Sequence, residues 1–321
     1  MEKLSTKYGI IEGISSLDYY GNGNPRDCII TKTVNELKTS YGILIPQYES
    51  GSERRKHVKS LSFYDDGNLQ SIYLQNQTKI NTPVGTLPAE LITFYKSGKI
   101  KRIFPLNGQI TAYWSEQDEY NLAEDISLDL SVGKIEKKII SINFYENGVV
   151  KSVTFWPTNP VEIDSPIGKV MSRIGFAFYN SGKLKSFEPL RPTKIKTPIG
   201  EINAYDVDAL GIHADLNSVN FFEDGNIKSL TTSSDSVEIT TNTGEKKIYK
   251  PGLKISVIND EVKDIVPLTI NFDNDKVYFN GDINNSYSLK ACSFNVKYIP
   301  LQVKSPCAGC SSDSSCDGEC C

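Results

Sequence analysis

Histidine, methionine and tryptophan are nearly missing from this sequence: its 321 residues hold two of each. With only His57 and His213 there is little imidazole chemistry to draw on. No Gly-x-Ser-x-Gly nucleophile elbow, phosphate-binding loop or dinucleotide fingerprint is present either. Spatial pairs of Asp and Glu stay open as acid–base groups, but no motif asks for them, and a non-enzymatic chain is the expectation. No stretch approaches the ~18 apolar residues of a membrane helix. The opening Met1-Glu2-Lys3-Leu4-Ser5-Thr6 leads into no apolar leader, so a cytoplasmic chain is expected. A formal charge of -4 removes a general attraction to nucleic acid or anionic membrane, leaving only a local basic patch open.

What is present points to β structure. Apolar residues at 39% and charged residues at 23% are enough to bury a core. Seventeen Tyr and thirteen Phe, without Ala-rich runs, favour strands over helices. Self-similarity then decides the architecture. A seven-residue pattern recurs as Leu17–Gly23, Leu61–Gly67, Ile92–Gly98, Ile142–Gly148, Phe176–Gly182 and Val219–Gly225. Each copy sets two aromatics before two turn residues and a glycine, as in Phe178-Tyr179-Asn180-Ser181-Gly182. Asn, Asp or Ser always precedes that glycine, which is the chemistry of a hairpin turn.

A second marker follows each copy, clearest as Thr82-Pro83-Val84-Gly85, Ser165-Pro166-Ile167-Gly168 and Thr197-Pro198-Ile199-Gly200. Degenerate forms are Thr39–Gly42, Leu130–Gly133 and Thr241–Gly244. Its glycine trails the first by 18 to 20 residues except in the third copy, which carries about sixteen more. We read it as a second hairpin turn, giving roughly four short strands per unit. Period-two geometry sends Phe63, Phe94, Phe144 and Phe178 to the core, and Tyr64, Tyr95, Tyr145 and Tyr179 to the other side. Beyond each turn the alternation breaks, since Leu184 and Phe187 are both apolar; a bulge would explain it.

Such units must stack to bury their apolar sides. The fold expected is all-β: an elongated, two-layered, solenoid-like array of six antiparallel hairpin units over 1–250. A terminal β cap over 251–304 and a flexible tail over 305–321 complete the chain. The core Phe178-Tyr179-Asn180-Ser181-Gly182-Lys183-Leu184-Lys185-Ser186 resembles the variant MORN-type hairpin repeat of bacterial proteins, across about residues 15 to 245. It lacks that family's Gly-x-Trp element and has a longer period. The resemblance implies a hairpin array used for binding or scaffolding, with no catalytic residues to carry over.

Four features could bear chemistry. Cys307, Cys310, Cys316, Cys320 and Cys321 crowd a Gly/Ser-rich tail, a spacing suited to Zn, to an Fe–S cluster or to disulfide exchange; an idle tail is the alternative. Cys28 and Cys292 read as small core residues. The insertion over 111–126 brings Tyr113, Trp114 and Tyr120 among carboxylates. Ser115 and Asp118 there predict a helix start near Glu116. That helix would either dock a partner or simply cover a sheet edge. Asp206, Asp208, His213 and Asp215 share one loop, which would hold a divalent cation or be a solvated turn. Last, Arg26, Lys101, Lys151, Lys185 and Lys228 sit three residues past successive turn glycines, with Gln70 in the second copy. Stacking would align them as an anion-gripping column or a solvated face. The functional expectation is a scaffold that binds a protein partner. Metal or thiol delivery by the tail, and glycan or polymer binding by the aromatics, are the rivals.

Overall fold

The computed structural model describes residues 2–49, 53–56, 59–156, 158, 160–207, 209, 217–256 and 263–299. Among them strands are the dominant structure, with a single helix at Glu116–Leu122. It divides into two compact units, Met1–Thr193 with Ala209–Ser229, and Lys194–Asp208 with Leu230–Cys321.

The first unit is one long antiparallel meander. In order, the strands Gly9–Tyr19, Pro25–Ile30, Leu61–Phe63, Leu69–Thr82, Gly85–Phe94 and Ile100–Phe104 each pair with the next. The meander continues through Gly133–Phe144, Val150–Phe155, Gly168–Phe178, Leu184–Pro189 and Val219–Phe221. All six Phe-Tyr-type motifs close the same turn. The N–H of the second aromatic donates four residues ahead, and the turn glycine donates back to that aromatic's carbonyl, as in Tyr145 N–H to Val149 (2.7 Å) and Gly148 N–H to Tyr145 (2.9 Å). The six turn glycines have φ between 79° and 91°, left-handed backbone that penalises any side chain. In four copies the Asn or Asp before the glycine accepts the N–H just after it, which explains the preference seen in the sequence.

The break in alternation is a bulge. Ser62 pairs with Ser71 and Phe63 with Leu69, so Gln70 is the extra residue. The same slip isolates Arg26, Lys101, Lys151 and Lys185 in their hairpins. Because the bulge turns one residue outward, Leu184 and Phe187 both reach the core while Lys185 between them points away.

Two sequence expectations change. The second copy runs on two long strands, Leu69–Thr82 and Gly85–Phe94, instead of four short ones, whereas the fifth keeps short strands at Leu184–Pro189, Thr193–Thr197, Gly200–Ala204 and Val219–Phe221. A slip in the ladder between Tyr73 and Thr78 redirects the strand without ending its pairing. The marker turns also sort differently. Thr6–Gly9, not noticed in the sequence, is a true copy: Thr6 Oγ1 donates to the Gly9 carbonyl at 2.8 Å, as Thr82 does to Gly85 at 2.7 Å and Thr197 to Gly200 at 2.7 Å. Thr241–Gly244 instead makes the Phe-Tyr type of turn, with Thr241 N–H donating to Glu245 at 2.9 Å.

The core follows the predicted parity. Phe63, Phe94, Phe144, Phe178 and Phe221 are buried, and the neighbouring tyrosines are half-buried. Their hydroxyls reach the next hairpin. Tyr20 donates to the Phe63 carbonyl (2.8 Å), Tyr64 to Phe94 (2.8 Å), Tyr95 to Phe144 (2.8 Å), Tyr145 to Phe178 (2.9 Å) and Tyr179 to Phe221 (2.7 Å). The sixth copy has Phe222 at this position, with no hydroxyl to give.

In the second unit, Asp235–Thr240 pairs with Lys246–Tyr249 and with Ser293–Tyr298, and Leu268–Asp273 pairs with Lys276–Phe279. Buried Asp235 accepts from the Asn203 amide side chain at 2.9 Å, and Tyr249 stacks on Phe279 at 4.2 Å between centroids. Cys28 is buried in the first unit, whereas Cys292 is only half-covered, so the second is not a core residue.

The phenol relay gives a direct test. Tyr145→Phe should cost about 1 kcal/mol, seen as a lower denaturant midpoint at unchanged slope, with faster amide exchange in the hairpin that follows.

Candidate binding surface

Each marker turn of the first unit rests on the turn of the hairpin after next. The Tyr8 hydroxyl accepts from Leu69 N–H (2.9 Å) and the Tyr41 hydroxyl from Ile100 N–H (3.1 Å), both two residues past a turn glycine. Where the marker lacks Tyr, other atoms make the approach. A Cβ on Gly148 would lie 2.9 Å from Pro83, and one on Gly225 would lie 3.3 Å from Pro166. Ser131 donates to the Gly182 carbonyl at 2.6 Å.

Three clefts open in succession along this line of turns. The first, about 180 Å³, has Tyr41, Pro83 and Ile100 facing Phe144 and Glu146. The second, about 330 Å³, lies between Pro83, Leu130 and Val149. The third, about 690 Å³, is lined by Asp164, Pro166, Lys183, Glu223 and Asp224. Each is bounded by two marker turns and two Phe-Tyr turns, so the clefts recur with the hairpins. Their polarity changes along the series, from apolar in the second to acidic in the third.

Arg26, Lys101, Lys151 and Lys185 of the basic column occupy the bulge position of their hairpins, and Gln70 takes it in the second. Lys101 lies 5.8 Å over the Tyr95 ring and Lys228 5.8 Å over the Phe222 ring. Arg26, Lys101 and Lys228 are exposed, and Lys151 and Lys185 half-exposed. The tyrosines that share this face are already committed through their hydroxyls.

The aromatic insertion is more deeply anchored than its sequence suggests. Ser115 and Asp118 form the capping box of the Glu116–Leu122 helix. Glu119 points inward from it onto Arg54, which donates from Nε to Glu119 Oε2 (2.7 Å) and from Nη2 to Oε1 (2.9 Å). The same guanidinium grips Glu90 through Nη1 (2.9 Å) and Nη2 (2.7 Å). Backbone N–H groups of Asn107 and Gly108 and the Trp114 indole each add a second hydrogen bond to one carboxylate oxygen. Arg55 donates beside it to the Leu74 and Gln75 carbonyls. All four side chains are buried. Every carboxylate oxygen accepts at least one hydrogen bond and three of the four accept two, so the pair is held as a structural clamp.

Trp114 therefore serves this clamp. Tyr120 packs edge-on against Trp156 at 5.9 Å and lies under Lys138 Nζ at 4.4 Å, and Tyr113 projects with 76% exposure. Arg54, Arg55 and Glu90 were not singled out in the sequence, and no local motif marks them. Cys307, Cys310, Cys316, Cys320 and Cys321 lie outside the described residues, as do Asp208, His213 and Asp215. Among the described residues no group of three His, Cys, Asp or Glu is placed to hold a metal ion. No described helix is long and apolar enough to cross a membrane. Comparison with protein-family models, curated proteins and solved structures finds no match to this chain.

The clamp sets an acid limit. Burial alone would raise the Glu119 pKa, but hydrogen bonds from Arg54, Trp114 and Gly108 outweigh it and hold it below the ordinary 4.5. A depressed carboxylate gives its full stabilisation above that ordinary value and loses it as pH falls through the folded one. Arg54→Met leaves two buried carboxylates facing each other and should cost about 3–5 kcal/mol. Urea midpoints measured from pH 7 downward should fall below pH 4.5 in the parent, and much less steeply in Arg54→Met.

Proposed function

We propose that this protein is a non-catalytic binding or scaffold protein. In this reading its hairpin units form a solenoid-like, two-layered array that offers a regular edge to a protein partner. The observation that carries it is the repeated tyrosine-to-carbonyl bond. A side chain of one hairpin fixed to the main chain of the next keeps successive turns, clefts and bulge cations in step. An extended partner segment crossing that edge would meet a cleft at each hairpin step, about 10 Å for two strand spacings. The resemblance to variant MORN-type hairpin repeats agrees with such a use. A cytoplasmic setting belongs to the same reading, as does a role for Cys307, Cys310, Cys316, Cys320 and Cys321 in holding a soft metal such as Zn or an Fe–S cluster.

Two charge-reversed proteins test the edge. One carries Lys101→Glu, Lys151→Glu and Lys185→Glu; the other Asp164→Lys, Glu223→Lys and Asp224→Lys. Surface changes of this kind should each shift stability by about 0.5 kcal/mol or less. At least one variant should lose, several-fold, proteins that co-purify with the parent. Identical sets from all three would retire the reading. For the tail, anaerobically purified full chain should carry near-stoichiometric Zn or Fe that is lost on deleting 305–321; equal metal content in both would remove the tail from the proposal.

A further inference from the structure

Five junctions inside the first unit show what covers the leading edge of a hairpin: the preceding hairpin, with its tyrosine hydroxyl on the carbonyl of the first aromatic. At the first hairpin no described residue takes that place. Strand Gly9–Tyr19 pairs with Glu2–Thr6 only as far as Ile14, and with Pro25–Ile30 on its other side. The second edge of Ser15–Tyr19 is left without a partner among the described residues.

The register shows which groups face out. Ser60 N–H donates to the Cys28 carbonyl at 2.8 Å, so Cys28 directs its backbone groups toward the strand Leu61–Phe63. Leu17, opposite Cys28, must then direct its own N–H and C=O the other way, and Tyr19, two residues on, does the same. The side chains agree. Tyr19 is 49% exposed, whereas the Phe at its position in the other five copies is at most 3% exposed. Leu17 is half-exposed where its counterparts are buried. The segment Ser15-Ser16-Leu17-Asp18-Tyr19 has one charge and neither Pro nor Lys, so the guards on this free edge are Asp18 and the ladder slip between Ile14 and Ser16.

We propose that Ser15–Tyr19 receives a Phe-Tyr-type hairpin from a different chain, which adds its strand antiparallel to this edge and lays a tyrosine hydroxyl on the Tyr19 carbonyl. The five internal junctions supply the template, and strand addition gives affinity through main-chain bonds. A second copy of this protein does not suit the role. Its five equivalent tyrosines are spent on its own hairpins, and its sixth hairpin offers Phe222. The inference rests on the scaffold reading and gives that scaffold's array a defined growing end and partner class.

The probe is a cyclised peptide with the sequence of residues 141–154, the fourth hairpin, titrated into the full-length protein. Cyclisation removes much of the ordering cost of an isolated hairpin. Saturable one-to-one binding is expected, weakened about five- to ten-fold by Tyr145→Phe in the peptide. Leu17→Pro in the protein should abolish it with little change in melting temperature, since the lost N–H faces outward and edge strands tolerate proline. The peptide arm decides the matter even if that variant folds poorly. No saturable binding, equal affinity for both peptides, or binding retained by folded Leu17→Pro would overturn the proposal. So would sedimentation showing a dimer that Leu17→Pro dissociates, which would give the edge to a second copy. The two charge-reversed proteins should bind the peptide like the parent. Lost co-purification without peptide binding therefore sinks only this inference, and peptide binding with unchanged co-purification sinks only the scaffold reading.

Discussion

A phenol hydroxyl donating to a backbone carbonyl one hairpin further on is the interaction that the first unit is organised around. It joins a side chain to the main chain, so the acceptor costs the sequence nothing: any residue there has a carbonyl. The donor must be tyrosine, placed beside the buried Phe so that its ring leaves the core at the turn. Each bond is modest in water, about 1 kcal/mol net, yet five of them in series fix the offset between neighbours. The marker turns brace the same offset from a second direction, since each rests on the turn of the hairpin after next. Clefts and bulge cations recur because both contacts recur.

The insertion in the third copy shows how much this frame tolerates. The sheet closes across it, with Ile142 paired to Ile103 and Asn143 to Arg102, and the intervening residues leave and return without disturbing the ladder. What they bring back is charge. Glu119 from the helix and Glu90 from a core strand converge on Arg54, with Arg55 beside them. Two cations and two carboxylates balance, and backbone N–H groups add further hydrogen bonds to the carboxylates. Buried pairs of this kind add little net stability over an apolar core but penalise any other arrangement. The clamp thus serves to hold the insertion in one place.

Taken together, the surfaces that remain for binding are those the frame does not consume. Tyrosine hydroxyls, Trp114 and Tyr120 are spent internally. Tyr113, the bulge cations, the clefts along the turns and the strand edge at Ser15–Tyr19 are left facing solvent. A bulge is what makes the cations available, because the extra residue cannot enter the core and must point outward.

The sequence alone determined the hairpin turns, the Phe and Tyr parity and the helix start at Ser115, because each depends on residues within a few positions of one another. It mistook Thr241–Gly244 for a marker turn and passed over Thr6–Gly9, since four residues ending in glycine can close either kind of hairpin and the choice lies in the pairing of the flanking strands. Only the tertiary structure decided where the tyrosine hydroxyls go, which turns meet, and that Arg54 clasps carboxylates 36 and 65 residues away. Those partners are brought together by the antiparallel meander of the first unit, and no local pattern of residue types records a contact made at that distance along the chain.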